Sequence, residues 1–169
     1  KRKCLNAVVE ASGKFQKSKT GALMVFEMQT KLGDIIDTGT IVNAEPSVPL
    51  IGNIFWNKAP LHDGAMVIRD GVIYAAGCIL PLTKSDTVSV DLGPRHRAAI
   101  GMSENSDAVV VVVSEETGQI SIAVNGVLTR NYTRETLQSA LEALLLPEEN
   151  VNGEKRTSRI PSIRRGRKS

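Results

Sequence analysis

The residues best suited to chemistry fall in three short clusters: Leu61-His62-Asp63-Gly64-Ala65, Gly93-Pro94-Arg95-His96-Arg97-Ala98-Ala99 and Ser114-Glu115-Glu116-Thr117. The middle cluster poses an electrostatic problem. Pro94 suits the first position of a helix, which puts Arg95, His96 and Arg97 in the opening turn. The unpaired N–H groups there already carry roughly half a positive charge, so each cation is disfavoured by about 0.3 to 1 kcal/mol. A phosphate at the helix mouth resolves the conflict, because a helix N-terminus favours anions and a planar guanidinium grips two phosphate oxygens. Asp63 and Glu116, with the neutral imidazole of His62, are donors that could hold a hard divalent ion bridging phosphate oxygens.

Singly, each cluster has a plainer reading. Asp63-Gly64 is a turn before a strand, Arg-His-Arg a solvated face, and Ser114 to Gly118 a hairpin turn with exposed acids. Together they combine the ingredients of metal-assisted phosphate chemistry. Each also lies at a strand end or a helix start, where sheet proteins gather ligand-binding groups.

The chain of 169 residues is 41% hydrophobic and 23% charged. It can bury one substantial core and is short for two domains. The net charge of +3 is uneven: residues 154–169 hold seven Lys or Arg and one acid, leaving residues 1–153 with 14 positive and 17 negative charges. The folded part is therefore mildly acidic. No broad positive surface marks it as a nucleic-acid binder, none is expected as a partner, and any phosphate site must be local. The two cysteines, Cys4 and Cys78, sit in apolar stretches, which argues against a disulfide framework or thiolate metal site and suits a reducing compartment. No run approaches the roughly 18 apolar residues of a membrane span. The chain opens on Lys1 rather than methionine, which leaves room for an upstream anchor.

The elements that must position these clusters follow from periodicity. Leu5, Val8, Val9 and Phe15 predict a helix over about 2–17, broken at Lys19-Thr20-Gly21. Ala22 to Glu27 reads as a buried strand, residues 31–39 as a short irregular segment, and residues 47–56 as a helix with Ile51, Ile54 and Phe55 inward. Two β-rich runs joined by Asp70-Gly71 predict a tight hairpin over 65–80. A Ser/Thr/Asp-rich loop over 81–92 leads to the Arg-His-Arg helix. Ala108 to Ser114 is too uniformly apolar for a surface strand, which implies a central strand covered on both faces. Residues 119–126 pair with it. Thr133 caps a last helix whose stripe of Leu137, Ala140, Leu141, Leu144 and Leu145 faces the core, stopped by Pro147. The expected fold is α/β with mixed α+β character: a single domain over 1–147, its central mixed twisted β-sheet flanked by helices. Residues 148–169, polar, basic and aperiodic, read as a disordered tail. That tail is read as solubilising, with contact to a polyanion as the alternative.

The segments TGALMVFE, PLHDGAMVIRDG, the ILPL stretch, GPRHRAAIG and VVSEETGQISIAVNG follow one another at a spacing that resembles diadenylate cyclase domains, over about residues 5–146. Within that family the chain is most similar to the membrane-anchored branch. The resemblance implies condensation of two ATP molecules to cyclic di-AMP and two pyrophosphates, with Mg or Mn, across a face-to-face homodimer. It implies catalytic roles for Asp63, Gly64, Arg95, His96 and Arg97. It implies metal ligation by His62, Asp63 and Glu116. ATP contacts are implied for Thr20, Gly21, Leu23, Asp63, Gly64, Ala65, Ile79, Leu80, Pro94, Arg95, His96, Arg97, Ser114 and Glu115. It further implies a place on the cytoplasmic face of the membrane through a segment outside this chain, with a membrane regulator and a phosphoglucosamine mutase as partners.

Two departures from the family pattern bear on activity. Pro94 stands where Thr is usual and lacks both a hydroxyl and an N–H, and Ile79 stands where many relatives have Tyr. They leave open a second reading, a catalytically weakened domain that binds ATP or a cyclic dinucleotide and acts as a regulator.

Overall fold

The computed structural model describes residues 1–85, 89 and 92–148. Seven strands form one mixed sheet: β1 (Ala22–Phe26), β2 (Thr40–Ala44), β3 (Ala65–Arg69), β4 (Val72–Cys78), β5 (Val109–Val113), β6 (Ile120–Val124) and β7 (Val127–Tyr132). Their spatial order is β2-β4-β3-β1-β5-β6-β7. Only β1 and β3 run parallel, and the other neighbours are antiparallel. Among the described residues five helices accompany them: α1 (Arg2–Ser18), α2 (Gly33–Ile36), α3 (Val48–Ile54), α4 (Pro94–Glu104) and α5 (Arg134–Leu145).

Successive residues of a strand point to opposite faces, and the central strands divide accordingly. Met24, Met66, Val111 and Ile122 pack with Leu5, Val8, Phe15, Phe55, Leu137 and Leu141 on the side of α1, α3 and α5. Leu23, Val25, Val67, Val110 and Val112 pack with Ala98, Ala99 and Met102 of α4 on the other. Every residue of β1 and β5 is buried, as covering on both faces requires.

The expected elements appear with small shifts of boundary. Asp70 and Gly71 both take positive φ, 50° and 77°, and close the β3–β4 hairpin. Ser47 caps α3 by accepting the Leu50 N–H, and Thr133 and Thr136 form a reciprocal capping box at α5. Three elements lie outside the sequence reading. The segment over 31–39 contains α2, and the edge strands β2 and β7 had no sequence prediction. Both edge strands show mostly exposed or half-buried positions, so neither has the clean alternation that betrays a strand. The predicted tail lies outside the described residues from 149 onward, as do parts of the 81–92 loop.

Candidate active site

Strand register carries the separate sequence clusters to one edge of the sheet. In the β1–β3 pair Met24 faces Met66, so Gly64 lies level with Ala22, and Asp63 with Gly21. Ala22 also faces Val113 across the β1–β5 pair, which brings Ser114 to the same level. Neighbouring strands are about 4.8 Å apart, so the Asp63 and Ser114 backbones stand roughly 10 Å apart at the ends of strands that flank β1. Ile79 emerges from β4 at this edge, because Cys78 faces Ala65.

Helix α4 points its N-terminus at the same place. Its N-cap, Gly93, offers no side chain, Pro94 begins the first turn, and no acid occupies that turn. The Arg95 guanidinium lies flat against Gly21: a Cβ on Gly21 would come within 2.6 Å of Arg95 Cζ and Nη1. Arg95 Nη1 reaches Glu115 Oε1 at 3.3 Å, while its Nε is buried without a hydrogen-bond partner. A guanidinium donor left unpaired at a helix mouth would suit an anion's oxygen once the Glu115 carboxylate that covers the group moves aside.

Beside it opens a cleft of about 330 Å³, lined by residues 92–96 on one side and 113–117 with Gln119 on the other, and by Arg130 from β7. Ser114 builds its turn: the hydroxyl oxygen accepts the N–H groups of Glu116 (3.1 Å) and Thr117 (3.2 Å), and its carbonyl accepts that of Gly118. This leaves the hydroxyl proton to donate. The structure thus brings Pro94, Arg95, His96, Ser114, Glu115 and Glu116 together. Arg97, one residue further round α4, is not among the lining residues, and its carbonyl accepts the Thr83 N–H. Arg130 also lines the cleft and was not among the residues expected from the sequence. Its signal was the Asn125-Gly126 dipeptide, whose positive φ angles of 52° and 80° make the β6–β7 hairpin.

On the far side of β1, His62 Nδ1 lies 2.7 Å from the Ala59 carbonyl. Because a carbonyl only accepts, Nδ1 carries a proton, and in the neutral ring the lone pair then falls on Nε2, the arrangement that prepares a histidine for a metal. Asp63 is exposed. Gly64 has φ 106°, and a Cβ there would sit 2.7 Å from the Cys78 carbonyl, so close approach of β4 already demands glycine. Among the described residues no three His, Cys, Asp or Glu side chains cluster as a metal site. His62, Asp63 and Glu116 therefore do not form a preassembled three-ligand cage. One or two protein ligands suit Mg or Mn, which take most of their oxygens from phosphate and water. Leu23, Ala65 and Leu80 are core residues beneath the site, half-buried Thr20 bonds Ser18, and Ile79 is 68% exposed and open to a ligand.

Residues 9–128 match the family described as DAC, DisA bacterial checkpoint controller nucleotide-binding. The chain belongs to this family. The DAC domain is 46% identical over 142 residues to cyclic di-AMP synthase CdaA of Bacillus subtilis, covering 84% of this chain and 52% of that protein. It is 54% identical over 110 residues to diadenylate cyclase CdaS of Bacillus thuringiensis, covering 65% and 55%. The crystal structure of a double mutant of DacA from Staphylococcus aureus superposes with a TM-score of 0.81 at 44% identity, covering 83% of this chain and 94% of that one. This DAC domain thus spans about half the length of the curated relatives it matches.

Proposed function

We propose that this domain is a diadenylate cyclase that condenses two ATP molecules into cyclic di-AMP. One observation carries the reading: Arg95, packed on Gly21, faces the Ser114–Glu116 turn on one side of β1, while His62 and Asp63 stand at the same sheet edge on the other. That layout suits a nucleotide whose polyphosphate lies at the α4 mouth and whose sugar reaches toward Asp63.

In this mechanism the 3′-oxygen of one nucleotide bonds to the α-phosphorus of the other, the bond from that phosphorus to the bridging oxygen breaks, and pyrophosphate leaves. The 3′-hydroxyl proton passes to Asp63 and on to solvent. A second, symmetric transfer closes the ring. Arg95 and His96 hold and neutralise the phosphates, Ser114 donates its hydroxyl, and Arg97 adds longer-range positive charge; such transfer needs positioning and charge neutralisation rather than a covalent nucleophile. His62 Nε2 and Asp63 on one side of β1, or Glu116 on the other, would supply the one or two protein ligands of Mg or Mn, which when bound would draw charge off the phosphate oxygens. One edge presents one set of groups, so two domains meet face to face.

Incubating the chain with ATP and Mn or Mg, followed by mass spectrometry, should show cyclic di-AMP. Failure in both metals at high protein concentration refutes the reading. Pro94, exposed at the first helical position without an N–H, favours a second reading, a regulatory domain that binds nucleotide without turnover. Calorimetry showing tight ATP binding with no product would establish it.

The chain spans about half of each curated relative; for the whole protein we propose, from the resemblance to the membrane-anchored branch, a place at the cytoplasmic face of the membrane, with a membrane regulator and a phosphoglucosamine mutase as partners. No helix among the described residues is long and apolar enough to cross a membrane. Recovery of the full-length protein in the cytosolic fraction of its cells would refute this placement.

A further inference from the structure

We propose that Glu115 is an internal rival of the substrate's polyphosphate for Arg95, a positioning residue that reclaims the guanidinium as pyrophosphate departs. The inference rests on the cyclase reading of the site. The two acids of the Ser114–Thr117 turn are neighbours in sequence, yet they do different things. Glu116 has no ion pair among those described. Glu115 turns its carboxylate to Arg95 Nη1 at 3.3 Å.

The partners are unequal in mobility. The Arg95 side chain is 22% exposed and braced by the Gly21 backbone, whereas that of Glu115 is 66% exposed on a surface turn. When a phosphate arrives, the braced partner stays and the exposed one swings into water. The ion pair also leaves the chelating geometry of the guanidinium unused, because it engages Nη1 while Nε remains buried and unpaired. A polyphosphate satisfies both donors and wins the exchange. Pyrophosphate, retained by the same two donors, must be competed away, and a tethered carboxylate next to the seat is present at high effective concentration for that purpose. No covalent change is involved; one anion replaces another.

The test uses the full chain with pyrophosphate and Mn as the probe. Glu115→Gln keeps the shape of the exposed side chain and removes its charge. It should bind pyrophosphate about fivefold more tightly, the scale expected of an exposed ion pair. The gain should shrink in roughly 1 M salt, where the screening length falls to about 3 Å. In turnover with ATP and Mn, added pyrophosphate should inhibit Glu115→Gln at a correspondingly lower concentration, and the KM for ATP should fall. Asp70→Asn, the same charge loss at the β3–β4 turn on the opposite edge of the sheet, should leave pyrophosphate binding unchanged.

Equal or weaker pyrophosphate binding by Glu115→Gln, with the wild-type chain binding well, overturns this inference alone. An equal gain in Asp70→Asn also overturns it, since the effect would then be one of net charge. A wild-type chain that binds neither pyrophosphate nor ATP overturns the proposed function with it.

Discussion

Replacing Gly21 with Ala separates the positioning of Arg95 from the stability of the fold. Gly21 is buried just ahead of β1, and its φ lies outside the left-handed region, so the backbone accepts a Cβ without strain. What that Cβ meets is Arg95 Cζ and Nη1 at 2.6 Å, where ordinary contact begins at 3.4 Å. The guanidinium must therefore retreat by about 0.8 Å, which it can do by rotating its flexible side chain rather than by moving the backbone. Losing glycine's freedom in the unfolded chain contributes about 0.4 to 1 kcal/mol in favour of folding, which offsets part of the local crowding. In a chain of this length 1 kcal/mol corresponds to about 2 to 4 °C, so the Tm should stay within a few degrees of wild type. Catalysis is less forgiving: a displacement near 1 Å of a positioning group can cost on the order of a hundredfold. The assay pairs thermal unfolding with the initial rate of cyclic di-AMP formation. Wild-type rates in Gly21→Ala would refute the claim that Arg95's seat against β1 matters. A loss of rate accompanied by a Tm drop of tens of degrees would refute the separation of function from fold.

Asp63→Asn should lower cyclic di-AMP formation by at least about a hundredfold while ATP affinity, measured by calorimetry, changes little; unchanged turnover would show that another group takes the proton. In the proposed mechanism one edge holds one nucleotide, so the rate per enzyme molecule should fall on dilution, and strict proportionality down to nanomolar protein would contradict a weakly associated pair. Glu27, whose side chain is 1% exposed, accepts two hydrogen bonds from Arg69 at 2.8 and 2.9 Å and the Leu32 N–H at 2.7 Å. The Arg69 bonds lead in holding its carboxyl below the usual range. A lowered pKa stabilises the fold above the unfolded value near 4.3, and this contribution is lost as pH falls through the folded one. Glu27→Gln should cost about 2 kcal/mol at pH 7 in urea unfolding, less than a fully buried pair because Arg69 is 26% exposed. The gap between variant and wild type should begin to narrow as pH falls below about 4 and go on narrowing as the folded carboxyl is protonated, and a gap that does not narrow with falling pH would refute the charge-based account.

Periodicity and turn chemistry were sufficient for the elements with one buried face or a strong stop. Leu137 and Leu141 on α5, Asp70-Gly71 in the hairpin and the all-valine β5 each carry their environment in their own neighbourhood. The edge strands β2 and β7 do not. Their side chains meet water on much of their surface, so nothing in the local sequence distinguishes them from loop until a neighbouring strand supplies hydrogen-bond partners. The same reason hid Arg130, which enters the cleft only because β7 pairs with β6.

The site divides along the same line. Residue types alone pointed to an anion at the α4 mouth, because Pro94 followed by two arginines in one opening turn is an electrostatic statement that needs no tertiary context. Sequence likewise marked Asp63 and the Ser114–Thr117 acids as candidates. Only the folded chain decided which of them meet. The β1 register sets Asp63 and Ser114 at one edge, Gly21 gives Arg95 its floor, Glu115 rather than Glu116 takes the ion pair, and Arg97 does not line the cleft. Distances between residues tens of positions apart are fixed by strand pairing and helix packing, and those are properties of the whole core rather than of any segment within it.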